Sequence, residues 1–143
     1  MDALLLANAA STLFMVGLAW FVHVVHYPLF AEVADERFLG YHELHSRRTT
    51  WVVLPPMTVE LLSSFALVLD PPGGAAALAV TGAALAVSTW ALTGLGAVPA
   101  HRALGGGMSP SGLSRLLRAD LARAIVWTAH GAVVIALLAT SID

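Results

Sequence analysis

Four runs of mostly apolar residues organise this chain. Residues 3–22 form the first, and a helix there extends to Tyr27. Pro28 stops it, because proline lacks an amide hydrogen and disfavours helix at the residue before it. Residues 51–69 form the second run, ended by the turn signal DPPGG at 70–74. Residues 75–98 form the third, closed by Pro99 and then three glycines at 105–107. Ser109-Pro110 reads as an N-cap followed by proline at the first helical position. From there a helix runs amphipathically through Leu113, Leu116, Leu117 and Leu121 and becomes the fourth run, 122–140. About 20 apolar residues suffice to cross a bilayer core. The pattern therefore predicts an all-α fold: one integral membrane domain over 1–143, a bundle of four transmembrane helices (3–27, 51–69, 75–98 and 122–140) with amphipathic connections.

The polar positions between the runs set an expected orientation. Arg37, Arg47 and Arg48 lie in 31–50, and Arg102, Arg115, Arg118 and Arg123 lie in 99–123. The N-terminal tail, the 70–74 turn and the C-terminal SID carry none. By the positive-inside rule both longer connections are cytoplasmic and both termini face outward. The start MDALLLANAAS lacks the positive charge of a signal peptide and leads into too long an apolar run, so it reads as a retained first helix. The expected location is the bacterial inner membrane, multi-pass, with the lipid bilayer as a partner.

Composition sharpens this picture. Apolar residues make up 58% and charged residues 11%, with a mean hydropathy of +0.80. Soluble domains carry about a quarter charged residues. The chain has no cysteine, which excludes disulfides, zinc-thiolate sites, iron–sulfur clusters and c-type haem attachment. Its seven basic residues are all arginine, and a net charge of -2 does not suggest nucleic acid as a partner.

Against that apolar background the ionisable residues stand out. His23 and His26 sit three apart at the end of the first run, Glu60 lies nine residues into the second, and His130 seven residues past Arg123. At about 1.5 Å per residue, counted inward from Phe30, Trp51 and Arg123, His23, Glu60 and His130 fall at similar depth, about 10–13 Å. Asn8, Thr12, His23 and His26 project within a stripe about 60° wide at 100° per residue. Asp120, Arg123, Trp127 and His130, spaced 3, 4 and 3, form one seam. Ionisable groups in a membrane normally face the bundle interior and pair there. The expectation is one polar pocket, open to the cytoplasm, in which His23 and His26 meet Glu60 and His130.

The segment DERFLGYHELHSRRTT (35–50) adds His42 and His45 at i,i+3 spacing, able to share a metal or grip one ligand. HELH is not the zincin motif, whose histidines stand four apart. Arg47 and Arg48 read as lipid-headgroup anchors. Pro55-Pro56 deprives carbonyls about four residues earlier of their donors, which either kinks the start of the second span or offers those carbonyls to a ligand. Small residues on the third span, with Gly82-x-x-x-Ala86, suit close helix packing.

The pattern HYPLF (26–30), YHELH (41–45) and PPMTVE (55–60), with the closing ARAIVWTAHG (122–131), resembles a group of uncharacterised small bacterial four-span membrane proteins. The likeness covers most of the chain. Tyr27-Pro28-Leu29-Phe30 and Pro55-Pro56-Met57 also resemble, more distantly, the HemJ-type protoporphyrinogen oxidases. The chain departs from that family in having no lysine and no histidine before His23. The distant resemblance implies a haem-linked membrane oxidoreductase.

Three functions are consistent with these features. The first is an oxidoreductase acting on a lipophilic molecule such as a quinone or porphyrin. It would use haem b or a transition metal (iron, copper or zinc), since neutral imidazoles are common ligands for these metals. His23, His26 and His130 would bind the cofactor, with His42 and His45 as further metal ligands. Glu60 and Arg123 would be catalytic, Arg123 suiting an anionic group. The second is a non-catalytic subunit or assembly factor of a larger membrane complex, or a homo-oligomer. The third, a proton-coupled transporter, is disfavoured by the scarcity of polar groups in the outer half.

Overall fold

The computed structural model describes residues 3–141, and among them there is no β-strand. The helices are α1 (Ala3–Phe21), α2 (Asp35–Leu69), α3 (Ala76–Leu92), α4 (Val98–Leu104) and α5 (Pro110–Thr140). Short tight or wide turns join some of these end to end, giving four rods over Ala3–Glu32, Asp35–Leu69, Ala76–Leu104 and Pro110–Thr140. Each is long and apolar enough to cross a membrane, so the protein is a four-helix bundle of multi-pass membrane type. The rods close into a ring: α1 packs on α2 and α5, and α3 packs on the other flanks of the same two. Large apolar side chains such as Phe14, Phe21, Leu62, Leu69 and Leu95 remain on the outside, as lipid contact requires.

Two rods change pitch at the same place in their sequence pattern. After α1, Val22–His26 forms a π turn, and the amide of Tyr27 bonds to the carbonyl of Val22. After α3, Thr93–Ala97 does likewise, and the amide of Val98 bonds to Thr93. Pro28 and Pro99 stand one residue further on, after Tyr27 and Val98. A proline has no N–H for the carbonyl four residues back, and the wider turn lets the ladder skip that position. Both π turns lie at the end of the bundle that carries the arginines.

The second rod differs from expectation. Residues 35–50 are not a separate connection but the first turns of α2, which continues unbroken through Pro55 and Pro56. Asp35 and Glu36 in its first turn suit the positive end of the helix dipole. The extension is held by its own apolar cluster of Tyr27, Phe30, Phe38, Ala100, Leu104 and Leu116. Thus α2 rises well past the level at which a span starting at Trp51 would begin.

The remaining boundaries follow the sequence pattern. Ser109 caps α5, its hydroxyl accepting from the Gly112 amide at 3.1 Å, with Pro110 next. The 70–74 turn closes on Gly73 and Gly74 at φ of +57° and +73°, which glycine adopts without steric cost. Gly82 lets α3 approach α5 so closely that a Cβ there would stand 3.4 Å from His130 Nε2.

The core is layered along the bundle axis. Leu5, Leu67 and Leu137 pack near the termini, and Met15, Ala19, Met57, Ala124 and Trp127 pack in the middle. The aromatic cluster caps the arginine-bearing end. Polar groups occupy the two gaps between these apolar layers.

Candidate functional site

The deeper polar layer is built around Glu60, which is fully buried. Its Oε1 lies 2.7 Å from His130 Nδ1, and its Oε2 accepts from the Trp127 indole N–H at 3.0 Å. Glu60 Oε1 and His130 Nδ1 share one hydrogen, which lies on the nitrogen when the carboxyl is ionised. Asn8 closes the layer from α1, its amide donating to the Glu60 carbonyl, Ser63 and Ser64. His130 Nε2 and Thr12 Oγ1 have no hydrogen-bond partner there.

The second polar layer lines a cavity of about 720 Å³ at the arginine-bearing end. This volume is typical of small-molecule sites. Its walls are apolar, from Met15, Leu18, Val22, Val53, Val98 and the Trp127 ring. Its polar side is a row of imidazoles. His26 Nε2 meets His45 Nδ1 at 2.8 Å, and Thr49 Oγ1 approaches the same nitrogen at 3.2 Å. The His45 ring stacks on His101 with centroids 5.6 Å apart. His101 Nδ1 meets His42 Nε2 at 3.1 Å, and its Nε2 meets the Tyr27 hydroxyl at 3.0 Å. Phe30 presents an edge contact to His26, His42 and His45, which fixes the row from behind.

Both π turns feed this row. The first carries His26 and precedes Tyr27; the second precedes the short α4 that carries His101. Wide turns of this kind are frequent at functional sites, because they turn side chains away from the ordinary helical face.

Arg123 is the one arginine turned inward; the other six are exposed. Its Nη1 donates to Asp120 Oδ1 at 3.2 Å, and its guanidinium lies 4.9 Å from the centre of the Trp127 ring. Both residues line the cavity. Asp120 Oδ2 stands 3.5 Å from His23 Nδ1, outside hydrogen-bond geometry. His23 itself lines a second, shallower groove with Leu113, Leu117 and Arg118.

The expected single pocket thus resolves into two levels. Glu60 and His130 meet, as their depths suggest. His26 lies instead with His45, fifteen residues along α2 from Glu60, about 22 Å at helical rise. His23 lies with Asp120, ten residues along α5 from His130, about 15 Å. His23 or His26 and His130 therefore do not flank one iron. His42 and His45 both join the imidazole row, but each binds a different histidine neighbour. Among the described residues no group of three His, Asp or Glu side chains is placed to hold a metal ion.

Sequence reasoning gave His101 and Tyr27 no part in the site, and placed Asp120 only on a seam. The signal for the first two was the proline that closes each run, since Tyr27 precedes Pro28 and His101 follows Pro99 by two. Comparison of the chain with protein-family models, curated proteins and solved structures finds no match.

Proposed function

We propose that the protein is an oxidoreductase of the bacterial inner membrane that binds a flat lipophilic small molecule, of the quinone or porphyrin class, in this cavity. The arginine-bearing end faces the cytoplasm by the positive-inside rule. One observation carries the reading. An apolar-walled cavity is edged by four buried polar atoms without hydrogen-bond partners: His45 Nε2, Ser46 Oγ, Asp120 Oδ2 and Arg123 Nε. Buried polar groups are nearly always paired, so unpaired ones around one cavity point to a ligand that pairs with them. The imidazole row suits proton exchange with that ligand. When His45 Nε2 takes a proton, its Nδ1 proton can pass to His26 Nε2, and the charge leaves toward the half-exposed end of the row.

A haem b is the second reading, favoured by His45 Nε2 alone. A buried imidazole nitrogen with no partner, on a helix wall, suits one axial position. Arg102 from α4 and Arg123 from α5 also line the cavity and would suit carboxylates. Bound there, haem would supply one-electron chemistry.

The test is direct. Protein purified from its own membranes is extracted with organic solvent, and the extract is resolved by chromatography and mass spectrometry beside an absorption spectrum of the intact protein. The first reading expects a lipophilic aromatic compound near one per chain; the second expects a Soret band that His45→Ala removes. A colourless protein that yields neither, and does not bind added short-chain quinone or quinol, contradicts both.

A further inference from the structure

The unpaired atoms around the cavity differ in what they ask of a ligand. Arg123 Nε only donates, while Ser46 Oγ and His45 Nε2 can donate or accept. As a carboxylate Asp120 accepts at both oxygens; Arg123 donates to Oδ1, and Oδ2 carries no hydrogen bond. His23 Nδ1 approaches Oδ2 to 3.5 Å without hydrogen-bonding it. The Asp120 side chain is buried among its neighbours at the edge of the cavity.

A ligand head resting here meets a demand for a hydrogen at Asp120 and for an acceptor at Arg123, three residues apart on one face of α5. A quinone carbonyl supplies acceptors alone. A carboxylate also supplies acceptors alone and meets the charge of Asp120. An aromatic hydroxyl supplies both: its O–H donates to the carboxylate, and its oxygen accepts from the guanidinium or from Ser46. Met15, Leu18 and Val53 supply apolar wall for the ring. We propose that the cavity takes its ligand in the hydroxyl-bearing form, as a fused-ring aromatic alcohol or diol, and that Asp120 is the residue that selects hydroxyl over carbonyl. This rests on the cavity reading above and names its substrate class: the reduced, hydrogen-rich partner of a quinone rather than the quinone.

The experiment is a calorimetric titration of the full chain in lipid nanodiscs under argon, with empty nanodiscs as reference. The probes are 1,4-dihydroxynaphthalene, 1,4-naphthoquinone and 1,4-dimethoxynaphthalene, which share the fused-ring carbon skeleton and carry hydroxyl, carbonyl or methoxy oxygens, so that the diol alone presents an O–H donor. The expected result is binding of the diol roughly tenfold or more tighter than either other compound, the scale of one hydrogen bond to a charged group. In Asp120→Asn, which keeps the shape but replaces half the acceptor with a donor, the preference falls to within about threefold. Leu95→Ala, on the outward surface away from the cavity, leaves it in place. Equal binding of the three probes, or a diol preference unchanged in Asp120→Asn, overturns the inference while the cavity reading stands. Binding of none of them removes the cavity reading, and the inference with it.

Discussion

Glu60→Leu lowers the stability of the folded bundle by about 2–6 kcal/mol, about 1–3 kcal/mol for each of the two buried hydrogen-bond partners it leaves unpaired. Among the described residues the Glu60 carboxyl is the one partner of His130 Nδ1 and of the Trp127 indole N–H, and both side chains are buried away from water. Leucine would leave both donors unpaired in an apolar layer. Glu60→Gln costs less, because its amide oxygen still accepts one of the two bonds. The double variant Glu60→Leu/His130→Leu recovers a large part of the loss, since the imidazole that needed the carboxylate is then gone. Reversible unfolding in mixed micelles measures all three. Additive single and double effects would mean that the pair contributes only packing volume.

Trp127→Ala has an effect of similar size for a different reason. The indole is fully buried, and truncating such a ring costs about 3–5 kcal/mol. It is also the partition between the two polar layers: one face lies under Arg123 on the cavity side, and its N–H reaches Glu60 on the other. Without it the cavity of about 720 Å³ opens onto the carboxylate. Glu60, shielded in the wild type, then becomes open to a lipophilic carbodiimide, and mass spectrometry of the modified peptide reads the change. Trp127→Phe keeps the wall and loses only the hydrogen bond, so it costs about 1 kcal/mol and leaves Glu60 protected. Equal modification of Glu60 in all three proteins would show that Trp127 is not the partition.

These two residues also mark what the sequence made legible. The sequence puts Glu60 and His130 in one pocket because each stands at a countable depth on a straight helix, and an ionisable group at that depth needs a partner. The seam Asp120, Arg123, Trp127 and His130 lies on the unbroken helix α5, so its spacing translated directly into a face. The four spans and the Ser109 cap rest on the same local rules.

His23 and His26 were misplaced by the level from which depth was counted. Counting from Phe30 and from Trp51 treats those residues as neighbours. In the fold Phe30 packs on Phe38, with ring centres 6.0 Å apart, because 35–50 continues α2 instead of lying along the membrane surface. That lowers His23 and His26 by more than three helical turns relative to Glu60. The π turn at Val22–His26 then rotates them off the face that Asn8 and Thr12 define. His101 was hidden by the matching turn at Thr93–Ala97. A helical wheel assumes one pitch, and the rods that carry His26 and His101 abandon it at or just before those residues.

The central claim is that the cavity between the rods, and not the lipid-facing surface, receives a lipophilic aromatic ligand. Photolabelling in native membranes with a naphthol carrying a diazirine tests it most directly, with the labelled peptides mapped by mass spectrometry. The account predicts modification at wall residues such as Val53, Thr93 and Val98, suppressed by excess unlabelled naphthol and weakened in Asp120→Asn. Label confined to the outward residues Leu62, Leu69 and Leu95, and indifferent to competitor, would contradict it.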